Sequence, residues 1–295
     1  MPSLKEVKNR INSVNSTRKI TSAMKMVASA KLHSAQKAIE SMRPYETRLA
    51  RIMGTFVSTI DGDITSPYAV ERPVQRVALV VYTSNSSLCG AFNGNVIREL
   101  RHAVARYQEQ GCEVVGIYPL GKKGLEAVRK LGAEAQDYSS LLDHPAYAPA
   151  AEIAQELMDK FAAGEIDRVD LIYHHFKSAG SQVLTKEQFL PVRLEEESAD
   201  GVTAESKEGG FLADYIVEPS KEELLLKLIP KALHLKLYTA LLDSLASEHA
   251  ARVIAMQVAT DNADELLHDL TLQYNKTRQQ AITAELLDIV GGSMQ

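Results

Sequence analysis

The stretch "KALHLKLYTALLDSLASEHAARVIAMQVATDNADELLHDLTLQYNKTRQQAITAELLDIV", Lys231–Val290, contains neither glycine nor proline. Nothing in it stops an α-helix, and at 1.5 Å per residue it reaches ~90 Å. A mean globular helix has only about 11–12 residues, so this one is too long for a compact core. Apolar residues recur at Leu242, Leu245, Val253, Met256, Ala263, Leu267, Leu270, Tyr274 and Ala281, a seam in steps of mostly three and four. Upstream, Ser220 with Glu223 three residues later forms a capping box that starts the helix, and Pro230 is expected to interrupt it early. At the far end, Leu286, Leu287, Ile289 and Val290 precede a Gly-Gly stop. An apolar tip there is either a docked core helix or an end inserted into a partner.

The opposite terminus has the same texture. From Ser3 to Arg43 there is no glycine or proline, and apolar positions run Leu4, Val7, Ile11, Val14, Ile20, Met24, Val27, Leu32, Ala35, Ile39 and Met42. After Pro44, which can kink a helix without ending it, the pattern resumes through Tyr45, Leu49, Ile52, Phe56 and Ile60. Two long seams, neither stable alone, predict an antiparallel two-helix coiled coil of residues 1–60 with residues 220–290. The first spans ~90 Å and the second ~105 Å. The longer helix therefore overhangs, and its apolar residues need a cover worth ~1.5–3 kcal/mol per buried side chain.

Between the helices lies an α/β segment, 74–215, reached through a turn-rich linker, Asp61–Pro73. "VALVVY" (Val77–Tyr82) suits a strand buried on both faces. Helical patterns at 94–111, 123–132 and 149–165 alternate with strands at 113–120 and Val169–Phe176, and 181–192 reads as an edge strand. That alternation predicts βαβ units and a mostly parallel, Rossmann-like sheet. "LEEESADGVTAESKEGG", about 194–210, is acidic and poor in apolar residues, which predicts a mobile loop. The fold class is thus α/β with long helices, a rod carrying a globular knob.

The composition is that of a folded globular protein, with 45% hydrophobic and 24% charged residues. No run approaches the ~18 consecutive apolar residues of a membrane span, and the start "MPSLKEVKNRI" lacks a secretory core, which predicts a cytoplasmic chain. Net charge is −5, yet residues 1–54 carry +8 and the remainder −13. The basic end therefore suits an acidic partner, either nucleic acid or a carboxylate-rich protein surface. Cys89 and Cys112 read as reduced, buried thiols, with a redox pair as the alternative.

Catalytic constellations are missing. "TSNSSLCGAFNGN" (Thr83–Asn95) sits where a phosphate loop would, but lacks the G-x-G-x-x-G and G-x-x-x-x-G-K-[ST] spacings, so its glycines are assigned to turning and packing. His174 and His175 adjoin within a strand and point to opposite faces, which rules against a shared metal. No cofactor or metal site is expected. Three classes remain open at this point: a shaft that docks in partners, a coiled-coil scaffold or nucleic-acid binder, and a nucleotide-dependent α/β enzyme.

At both ends the chain resembles the gamma-subunit family of F-type ATP synthases, the central rotor shaft. "ITSAMKMVASAKL" (Ile20–Leu32) resembles its N-terminal signature. "SLASEHAARVIAMQVATDNADELL" (Ser244–Leu267) and "LQYNKTRQQAITAELLDIVGG" (Leu272–Gly292) resemble its C-terminal one. "SSLCGAFN" (Ser86–Asn93) resembles its first strand-loop-helix, although Asn85-Ser86-Ser87 stands where the family more often has Asp-Arg-Gly. The resemblance implies a non-catalytic subunit, one copy per complex, that turns inside a head of three alpha and three beta subunits. It would stand on an epsilon subunit and a ring of c subunits, coupling proton flow to ATP synthesis or hydrolysis. It further implies that Met24, Lys25, Arg252, Arg278 and Gln279 meet loops of the beta subunits, and that Leu286, Leu287, Ile289 and Val290 sit in an apolar collar of the head. Ring contact falls near Pro44 and around Tyr215–Lys221. No thiol switch is expected, because the two cysteines lie outside the insertion that carries one in plastid relatives. The expected location is the cytoplasmic face of a bacterial inner membrane, as a peripheral protein.

Overall fold

In the computed structural model, residues 3–59, 66–192 and 220–293 are described. The acidic segment near 194–210 and Tyr215 lie outside them. The element order is α1 (Leu4–Thr59), β1 (Arg76–Tyr82), α2 (Phe92–Glu109), β2 (Glu113–Leu120), α3 (Lys122–Lys130), α4 (Ser140–Asp143), α5 (Tyr147–Ala162), β3 (Arg168–Ser178), β4 (Ser181–Leu190) and α6 (Lys221–Ser293).

The sheet has the order β2-β1-β3-β4. β1 pairs parallel with both β2 and β3, and β4 returns antiparallel as the edge. Being central, β1 is covered on both faces, and its period of two sorts its residues between them. Ala78, Val80 and Tyr82 join one core with α5 and α6. Val77, Leu79 and Val81 join another with Val96, Leu100, Ala103 and Tyr107 of α2. Three layers result, helix on sheet on helix. Fully buried Asp170 of β3 binds the second core together. It accepts from Arg168 Nε at 2.9 Å, pairs with Lys186 Nζ of β4 at 3.0 Å, and receives the Tyr107 hydroxyl. At the β2–α3 turn, Gly121 has φ +122°, and a Cβ there would come 2.5 Å from the Thr83 carbonyl oxygen, so only glycine fits.

The terminal helices pack against each other and run antiparallel. Arg18 pairs with Asp264, Thr21 with Thr260 and Lys25 with Gln257, a register in which partner numbers sum to 281 or 282. Nearer the sheet the seam becomes apolar, with Leu32 and Ile39 against Leu242, Ala246, Ala250 and Phe176. Carried along both helices, this register places Thr59 near residue 223 and Leu4 near residue 278. The pair is flush at the sheet end. At the other end α6 runs on alone for roughly 15 residues, ~22 Å.

Two expected interruptions do not occur. α6 passes through Pro230 without a break. The proline ring removes the backbone hydrogen bond to the Leu226 carbonyl, but Leu226 is an exposed residue, while Leu225, Ile229 and Leu233 on the other side anchor the helix in the first core. Nor does the Gly-Gly pair stop it, since the helix continues to Ser293. The capping role of Ser220 is seen, its Oγ accepting from the Glu223 amide at 3.2 Å. α1 likewise runs through Pro44.

Candidate functional site

Among the described residues, no group of His, Cys, Asp or Glu side chains could hold a metal ion, and the candidate site is a surface. Large apolar side chains left in water concentrate on the helix pair beyond the sheet: Ile20, Met26 and Val27 on α1, and Ile254, Val258, Leu266 and Leu272 on α6. They culminate at the overhang, where Leu286, Leu287, Ile289 and Val290 are 57%, 67%, 68% and 55% exposed. At its other end the same helix buries Leu225, Ile229, Leu237, Leu241 and Leu245 almost completely. A continuous helix therefore changes from core element to bare apolar prong, which no other described residue faces beyond the level of Leu4.

The five residues expected to touch partners fall on two levels. Met24 and Lys25 are half-buried on α1, with the Lys25 ammonium held by the Gln257 side chain. Arg278 and Gln279 are exposed at the start of the overhang, some 21 residues and ~32 Å further along α6 than Gln257. Arg252 is near Lys25 in height but differs in setting. It is only 8% exposed, with its guanidinium 2.6 Å from Glu248 Oε1 and donating to the Ser87 carbonyl. Burial pushes the Glu248 carboxyl up, and Arg252 works against that rise. Pro44 is exposed in α1, and Lys221 opens α6.

The loop that Arg252 grips was not singled out as a site from the sequence. Within it Leu88 has φ +68° and is 58% exposed, a left-handed leucine facing water. Cys89 beside it is buried and free, as is Cys112 in the second core. His174 stacks on Phe92 with ring centroids 4.5 Å apart, whereas His175, on the opposite face, contacts Asp243 at 2.5 Å. Desolvation lowers His174 to a pKa of about 4, and His249 likewise, where Lys31 and Arg252 add to burial.

By architecture this is an α/β body mounted on a pair of long antiparallel helices, one ending bare. The ATP synthase family profile matches residues 3–294. An ATP synthase gamma chain of Bacteroides thetaiotaomicron is 59% identical over the whole of both chains, and one of Flavobacterium johnsoniae is 45% identical over 99% of this chain and 98% of its own. The chain belongs to this family, ATP synthase, and the relatives it matches are gamma chains. Among solved structures, a chain of the Euglena gracilis mitochondrial ATP synthase, from its OSCP/F1/c-ring assembly in rotational state 3, shares the fold with TM-score 0.63 at 22% identity, over 99% of this chain and 93% of that one. Another from the rotor of the same enzyme gives 0.61 at 20% identity, over 95% and 98%. Among the described residues, no helix is long and apolar enough to cross a membrane.

Proposed function

We propose that this chain is the central shaft of an F-type ATP synthase, turning inside a head of three alpha and three beta subunits and coupling proton flow to ATP synthesis and hydrolysis. One observation carries the reading: an apolar helix end extends ~22 Å beyond its companion with its leucines and isoleucine in water. A monomer gains nothing from that exposure, whereas a sleeve of other subunits would bury it. Apolar contact is non-directional, while each hydrogen bond favours one orientation by roughly 1 kcal/mol net. An apolar end in an apolar collar therefore gives a flatter rotational profile than a hydrogen-bonded one. The named functions of the relatives and the rotor assemblies that share the fold support the same role.

In this reading residues 1–60 and 220–290 form a two-helix coiled coil, and 74–215 forms a Rossmann-like body at its foot. Met24, Lys25, Arg278 and Gln279 meet loops of the beta subunits. The region of Pro44, Tyr215 and Lys221 meets the c-subunit ring and an epsilon subunit. The shaft has no catalytic site or cofactor, is present once per complex, and rides peripherally on the cytoplasmic face of the membrane. Co-expression with alpha and beta subunits tests this directly. Affinity capture of this chain should recover both, with ATPase activity. Capture of the chain alone, or of nucleic acid in a salt-sensitive manner, would overturn it.

A further inference from the structure

His174 is a buried polar side chain with unmet chemistry. It is 4% exposed, and its Nδ1 is enclosed without a hydrogen-bond partner. Buried polar atoms are nearly always paired, and leaving one unpaired costs stability. The His174 ring stacks on Phe92, and both rings border a cleft of about 240 Å³ where the start of α2 meets α6 and the β3–β4 pair.

The lining restricts what the cleft can hold. Ile254 and Ala255 of α6 join Phe92 in the wall, and half-buried Asn95 and Gln182 add side-chain amides. Among the described residues, none that lines it is Lys, Arg, Asp or Glu. An ionised ligand would lose water there without a countercharge, so the occupant is neutral. Ile254 is left 43% exposed, apolar surface that a water molecule would not cover but a ring would. Burial lowers His174 to a pKa of about 4, so at pH 7 the imidazole is neutral and Nδ1 carries either a hydrogen or a lone pair. A hydroxyl both donates and accepts, and satisfies either tautomer. The volume falls below the roughly 300–1,000 Å³ of pockets that take drug-sized ligands, which limits the occupant to a ring or two.

We propose that this cleft is a binding site for a small neutral aromatic hydroxyl compound, its ring against Phe92, Ile254 and Ala255 and its hydroxyl paired with the His174 imidazole. The site goes beyond the shaft reading and stands without it, since every residue that forms it belongs to this chain. An occupant touches α6 and the sheet at once, and so adds a tie between the long helix and the body.

Phenol serves as the probe, with toluene and benzoate as its uncharged and charged relatives. In the full-length chain carrying isotope-labelled histidine, phenol should shift the His174 ring resonances saturably at pH 7, and benzoate should leave them unmoved. Absence of a saturable shift up to the solubility of phenol would overturn the proposal, as would benzoate binding as well as phenol. Two variants then locate the probe by ligand-observed titration. His174→Phe keeps a ring on Phe92 without the nitrogens, and the ratio of phenol to toluene affinity should fall roughly tenfold, the worth of one hydrogen bond. Comparing the ratio cancels the difference in hydrophobicity between the two probes, and an unchanged ratio would show that His174 reads no hydroxyl. Ala255→Leu fills the cleft and should abolish binding of both probes; wild-type affinity in that variant, folded by its melting curve, would place the probe elsewhere and overturn the site. If Ala255→Leu fails to fold, the ratio in His174→Phe decides.

Discussion

Leu287→Asp combined with Ile289→Asp puts the bare helix end to its sharpest test. Both side chains are about two-thirds exposed in the chain by itself. Fully burying such a residue contributes ~1.5–3 kcal/mol, so the exposed share still to be gained on docking is ~1–2 kcal/mol each. For the pair that is ~2–4 kcal/mol, or roughly 30- to 1,000-fold in affinity at ~1.4 kcal/mol per tenfold. Two carboxylates that must then lose water add to the deficit. The fold should not register the change, because exposed positions tolerate substitution within ~0.5 kcal/mol. Thermal melting of the isolated chain should therefore match wild type. The assay titrates wild-type and variant chains into alpha and beta subunits and reads recovered ATPase activity. A shift in midpoint of at least thirtyfold is expected at this magnitude, and it should be nearly independent of salt, since the lost contact is apolar. A midpoint within twofold of wild type, with melting unchanged, would show that no partner covers the tip and would remove the main support for the shaft.

Two further outcomes follow from the interior. Leu242, almost fully buried against Leu32 and Ile39, should cost ~2–5 kcal/mol on Leu242→Ala; a urea titration of the isolated chain should show a lower midpoint with unchanged slope. His174 and His249 have folded pKa values of about 4 against a usual 6.5. As pH falls from 6.5 toward 4 the unfolded chain takes up these protons first, so stability drops by up to ~1.4 kcal/mol per pH unit for each. His174→Phe, which keeps a ring on Phe92, should flatten that slope in denaturant titrations across the window, and an unaltered slope would show that His174 is not held neutral.

The long helices were legible because two local signals coincide: absence of glycine and proline, and apolar steps of three and four. β1 was legible for a similar reason, its unbroken apolar run needing cover on both faces. Opposite facing of His174 and His175 followed from strand period alone. What escaped depends on contacts distant in sequence. Pro230 reads as a break locally, yet Leu225 and Ile229 are gripped by the sheet's core and carry the helix across it. α4, a single turn at Ser140–Asp143, has too few residues to show any period. Arg252 reads as a cation on a helix face, and nothing near it in the chain says that a loop 165 residues earlier folds over it. The extent of the overhang was also hidden. Helix lengths bound it, but the register fixed by Arg18–Asp264 and Lys25–Gln257 sets where α1 ends against α6.

The body ties α6 by hydrogen bonds and ion pairs as well as by its core. Tyr82 donates to the Leu237 carbonyl at 3.0 Å, Ser247 to the His174 carbonyl at 3.1 Å, Lys236 pairs with Glu187 at 2.7 Å, and His175 meets Asp243. All four ties reach α6 within about three turns, beside the core leucines. α1 packs along α6 through buried Val7, Ala28, Leu32 and Ile39 and through side-chain rungs, and its Ile52 and Met53 lie against the first core. Among the rungs Arg18–Asp264 is exposed on both sides, so it is worth at most ~1 kcal/mol. α6 is therefore the spine, and α1 a splint laid along it. A turning load on the body would pass into α6 through these four ties and into α1 through the seam and the apolar contacts of Ile52, Met53 and Phe176. The same asymmetry has an equilibrium signature in the isolated chain. Openings that peel α1 away leave α6 pinned to the sheet, so amides at 29–49 should exchange faster than those at 233–253. Equal protection of the two would mean that they separate only when the whole molecule unfolds, and α6 would lose its standing as the spine.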